Sequence, residues 1–73
     1  MIKRKIKLDL ESKLNNLKIN LENNYKDLAQ DALKELQNAL EEYRNSGELK
    51  EKDYLKYKQV VDGYALRMLN YHH

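Results

Sequence analysis

Covalent catalysis needs a nucleophile held beside a base. The chain offers two serines, no cysteine and two histidines. Ser12 lies between Glu11 and Lys13, far in sequence from His72 and His73. Ser46 belongs to the run Asn45-Ser46-Gly47, which reads as a helix stop. General acid–base work would need paired carboxylates in a pocket. Glu41 and Glu42 with Glu35 or Asp31 are the densest acidic grouping, but at helical spacing such side chains form a solvated face. Metal chemistry fares no better. There is no thiolate, no Glu-x-x-His pair, no HExxH helix and no calcium loop. His72 and His73 sit together at the chain end, where a disordered terminus is the simpler reading. No glycine-rich phosphate loop is present. The expectation is a non-enzymatic protein with no catalytic residues, cofactor, metal or small-molecule substrate.

Two stretches carry non-covalent chemistry. Tyr54, Tyr57, Val61, Tyr64, Met68 and Tyr71 recur at intervals of three and four, a heptad-like seam. The chain has six Tyr and no Phe or Trp. Tyrosine buries its ring while leaving its hydroxyl wet, which suits half-buried seams and interfaces. This seam is the candidate face for a partner or a second copy. The competing reading makes it the seam of the protein's own bundle. Base stacking beside Lys56, Lys58 and Arg67 is a third use. The second stretch is the basic start, where Lys3, Arg4, Lys5 and Lys7 precede the first acid, Asp9. These four are the candidate nucleic-acid contact. The alternative is a solvated, frayed helix start over residues 1–5, since cations at a helix N-terminus oppose its dipole.

The elements that position these groups are helical. Pro is absent, Gly occurs twice, and charged residues make up 36%. The firmest helix is 25–45. Its residues Tyr25, Leu28, Ala29, Ala32, Leu33, Leu36, Ala39, Leu40 and Tyr43 share one broad face. Asn24 is its expected N-cap, with Asp27 in the first turn, and Gly47 its expected left-handed stop. Before it, residues 6–22 read as helix through Ile6, Leu10, Leu14, Leu17 and Leu21. The runs Ile6-Leu8-Leu10 and Leu17-Ile19-Leu21 also alternate as hairpin strands would. Helix is favoured, because Leu prefers it and no two-residue turn separates the runs. The expected helices are about 4–23, 25–45 and 51–70. The apolar stripe passes through Asn23-Asn24 in phase, so one long helix of ~60 Å plus a shorter one is the alternative. Gly63 interrupts the last helix and marks close helix contact, a kink or a break at Asp62-Gly63.

The 73 residues amount to a single domain over 1–73. The fold class is all-α, a small antiparallel helical bundle. Without cysteine, disulfides are excluded. Chains this short rarely reach more than ~3–5 kcal/mol of stability from a core alone. Self-association is therefore expected, as a homodimer or with a helical partner, through apolar surface left over on the first or last helix. The net charge of +2 divides unevenly, with an acidic 23–47 between basic flanks. That suits packing of the middle helix against both neighbours. No apolar run approaches the ~20 residues of a membrane span. A cytoplasmic location is expected. Nucleic-acid binding through the basic start is the alternative function.

Overall fold

A computed structural model describes residues 3–69. Three helices follow one another: α1 (Arg4–Glu22), α2 (Lys26–Asn45) and α3 (Glu51–Leu69). Among the described residues there is no strand. Residues 6–22 are helical, not a hairpin. Asn70 lies outside the described residues. The longest dimension is 40 Å, well short of the ~60 Å that an unbroken helix through Asn23-Asn24 would need.

Both turns stop a helix by the same hydrogen-bond device. At the end of α1, the Tyr25 N–H donates to the Asn20 carbonyl (2.9 Å) and the Asn24 N–H to the Leu21 carbonyl (3.1 Å). At the end of α2, the Glu48 N–H donates to the Tyr43 carbonyl (3.1 Å) and the Gly47 N–H to the Arg44 carbonyl (3.1 Å). These paired bonds satisfy the last free carbonyls and define the Schellman motif. Each motif needs one residue in the left-handed region. Asn24 supplies it at φ 60° and Gly47 at φ 80°. The sequence reading made Asn24 the N-cap of α2. Instead Asn24 ends α1, and Tyr25 is the N-cap, with no side-chain cap bond. Asparagine suits both roles, since its short polar side chain tolerates the left-handed conformation better than most.

The core is a single cluster. Ile6, Leu10 and Leu17 enter from α1, Ala29, Ala32, Leu36, Ala39 and Leu40 from α2, and Tyr54 and Val61 from α3, with Leu49 from the second turn. α2 is the middle layer and packs against both neighbours, more extensively against α1. Three alanines on its buried face leave room for larger side chains to approach. Consecutive helices run antiparallel, as short connections require. Asp9 near the start of α1 meets Tyr43 near the end of α2. Glu41 late in α2 meets Tyr54 early in α3. α1 and α3 consequently run parallel on either side of α2.

α3 passes through Asp62-Gly63 without a break. A Cβ added at Gly63 would meet nothing within 4 Å. This glycine therefore marks neither a close helix contact nor a chain break. No described helix is long and apolar enough to cross a membrane.

Candidate interaction surface

Polar ties fix how the helices register before any surface is presented. The Tyr43 hydroxyl donates to Asp9 Oδ2 at 2.5 Å, and Lys13 Nζ approaches Asp9 Oδ1 at 2.6 Å. Lys13 first, then Tyr43, holds the Asp9 carboxyl below its ordinary range. The same carboxylate, aided by burial, pushes the Tyr43 hydroxyl up to about 12. This cluster staples α1 to α2. The Tyr54 hydroxyl donates to Glu41, which raises its pKa and staples α3 to α2. Arg44 reinforces that end. Its guanidinium lies 4.6 Å over the Tyr54 ring, and its Nε donates to Glu51 at 3.2 Å. Lys13 of the first cluster also lines a hollow with Ser12, Asn16, Ala32 and Glu35. Among the described residues, no group of three His, Cys, Asp or Glu is arranged to hold a metal.

The tyrosine seam faces inward for most of its length. Tyr54 and Val61 are buried in the core. Tyr57, Tyr64 and Met68 are half-buried and packed against it. Tyr71 lies outside the described residues, as do His72 and His73. The heptad spacing is thus used within the chain, by α3 docking on α2. The side chains left outside are different ones. Leu55, Leu66 and Leu69 are 53%, 62% and 68% exposed. At 3.6 residues per turn they fall within about 60° of one another on the α3 surface. Leu8 and Ile19 form a smaller exposed pair on α1. The sequence contained the signal for the α3 stripe, since these leucines lie off the tyrosine seam. Periodicity alone could not say which of two apolar faces would be covered.

The basic start is presented to solvent. Lys3, Arg4, Lys5 and Lys7 are all exposed. Lys3 Nζ stands 3.9 Å from Glu48, across the second turn. The other three form no ion pair among the described residues. Arg4 and Lys5 lie within α1, which begins at Arg4. Arg4 and Lys7 lie one turn apart on one side of α1 with Lys3 at its cap beside them, while Lys5 projects from another side.

Between α1 and α3, which touch little directly, runs a groove with two hollows. One is bounded by Lys7 and Leu14 of α1 and by Asp53, Lys56, Tyr57 and Val60 of α3. The other lies further along both helices, among Lys18, Leu21 and Glu22 of α1 and Tyr64 and Arg67 of α3. The Arg67 guanidinium sits 5.6 Å over the Tyr64 ring. Burial, with Glu11 and Asp53 nearby, raises the Tyr57 hydroxyl. The groove floor is apolar and aromatic, and its rims are charged.

No protein-family model, curated protein or solved structure matches the chain.

Proposed function

We propose that the chain is a small non-enzymatic, cytoplasmic interaction protein that works through helix-to-helix contacts, with a second copy or with a helical partner. The observation that carries this reading is the outer stripe of α3. Leu55, Leu66 and Leu69 stand more than half exposed on one side of a helix whose other side is already committed to the core. Three large aliphatic side chains grouped on one face are a costly way to build a solvated surface, and covering them would recover about 25 cal/mol per Å².

The test is sedimentation equilibrium on the wild type and on Leu66→Glu/Leu69→Glu. Both positions are exposed, so the change should leave the fold within about 0.5 kcal/mol of wild type. The expected result is a wild-type homodimer and a helical, monomeric variant. A wild-type monomer with Tm above ~65 °C at micromolar concentration would overturn the self-association reading, since that stability implies a satisfied core.

A second reading draws on the exposure of Arg4, Lys5 and Lys7 without ion pairs: a nucleic-acid-binding accessory protein. Affinity for duplex or single strands would then fall steeply with salt. Lack of binding at ~50 mM salt removes this reading.

A further inference from the structure

The groove between α1 and α3 is a second surface, distinct from the leucine stripe. Its two hollows are offset by one heptad on both walls. On α1 the floor residue advances from Leu14 to Leu21, and on α3 from Tyr57 to Tyr64. Seven residues of helix span about 10 Å. A helix lying along the groove therefore places side chains i and i+7 over the two hollows together. That spacing is how an amphipathic helix anchors in a groove. Val60, also exposed, adds apolar surface within the first hollow.

The rims select the charge of that helix. Each hollow has two cations and one carboxylate: Lys7 and Lys56 with Asp53, then Lys18 and Arg67 with Glu22. Lys7, Lys18 and Lys56 form no ion pair among the described residues. An incoming helix with Asp or Glu beside its apolar anchors would meet these cations. A second copy in a two-fold arrangement would instead bring the same cation-rich rims against each other. A nucleic-acid strand is disfavoured for a different reason. Its phosphates would pass the carboxylates of Asp53 and Glu22.

We infer that the groove between α1 and α3 is a docking site for an acidic amphipathic helix of another protein, with apolar anchors seven residues apart. It rests on the reading of the chain as an interaction protein but uses a different face from self-association.

The experiment selects 18-residue peptides from a randomised displayed library on the wild-type chain. Selection is countered on Lys56→Glu/Arg67→Glu, whose changed positions are exposed. The expected pool is enriched in apolar residues at i and i+7 with Asp or Glu beside them. A labelled peptide from it should bind the variant at least tenfold more weakly in fluorescence anisotropy, with the variant's helicity unchanged. Binding should also weaken as salt rises. A pool with no acidic bias, no enrichment at all, or peptides that bind the variant equally well would overturn the proposal. So would a single-stranded oligothymidine that binds the groove and displaces the selected peptide. Sedimentation of the same variant separates the two surfaces. Self-association that survives the groove change while peptide binding is lost, and the reverse for Leu66→Glu/Leu69→Glu, shows each face failing or standing alone.

Discussion

The two sides of α2 are built differently. Towards α1, aliphatic side chains at Ile6, Leu10 and Leu17 are wholly or almost wholly buried. Towards α3, the buried contributors are Tyr54 and Val61, supplemented by half-buried Tyr57, Tyr64 and Met68. The first interface is mostly aliphatic, with a polar staple where Tyr43 meets Asp9. The second mixes ring packing with polar ties at one end, where Glu41, Arg44 and Glu51 gather around Tyr54 and the start of α3. A helix held this way keeps other faces free. The same economy of contact leaves Leu55, Leu66 and Leu69 outside and opens the groove towards α1. The firmer interface thus provides the platform, and the looser one provides both candidate surfaces.

That contrast can be broken by core truncation. Leu17→Ala should cost about 3 kcal/mol and Val61→Ala about 2 kcal/mol. Against a total of a few kcal/mol, Leu17→Ala should unfold a large fraction of molecules, seen as lost helicity. Val61→Ala should speed hydrogen exchange in α3 before α1 and α2. Equal acceleration in all three helices would show that the two interfaces do not differ.

The staple between α1 and α2 is open to a pH test. Tyr43→Phe removes a charge-assisted bond worth about 1 kcal/mol at this half-buried position. The folded-state pKa of Tyr43 is raised to about 12. Its stabilisation is then fully present below pH 10 and lost as pH rises through about 12. Asp9 has the opposite sign. Its lowered pKa adds stability above pH 3.8, lost as pH falls through the folded value. Denaturation midpoints of wild type and Tyr43→Phe should therefore converge between pH 10 and 12. A constant gap across that range would contradict the Asp9–Tyr43 bond.

Smaller effects come from three backbone positions. Gly63→Ala should stabilise by about 1 kcal/mol, because the helix interior gains a better former and the new methyl meets open space. Gly47→Ala should cost about 1 kcal/mol, through left-handed strain alone, since its surroundings are also open. Asn24→Gly should gain about 0.5 kcal/mol by relaxing the same strain in the other turn. Urea midpoints measure all three, and the opposite signs at Gly47 and Asn24 distinguish the two turns.

Much of the fold was legible because local signals agreed. Arg44 to Gly47 announced the end of α2, and the expected bounds of α1 and α2 fell within one residue of the observed ones. Asn24 was read in the wrong role because capping and left-handed preferences share the same residue types. The hairpin alternative for 6–22 and a break at Gly63 stayed open for a related reason. Leucine alternation and a lone glycine are each compatible with two local states, and only packing against a neighbour chooses between them. The functional surface was less legible. The tyrosine spacing marks a seam, but a seam within the chain and one between chains have the same period.

By itself, the sequence determined an all-α chain, the helical character of its main segments and the firm stop at Gly47. These follow from propensity, turn chemistry and residue inventory, which act over a few residues. The tertiary structure decided what depends on neighbours. It broke the stripe at Asn24, turned Tyr54 and Val61 inward, and left Leu55, Leu66 and Leu69 outside. It also placed Leu14 and Leu21 opposite Tyr57 and Tyr64 across a groove. A helix with apolar residues on more than one face has no internal reason to bury a particular one. The choice is made by the face of α2 on which α3 docks, which covers only as much of α3 as it can reach.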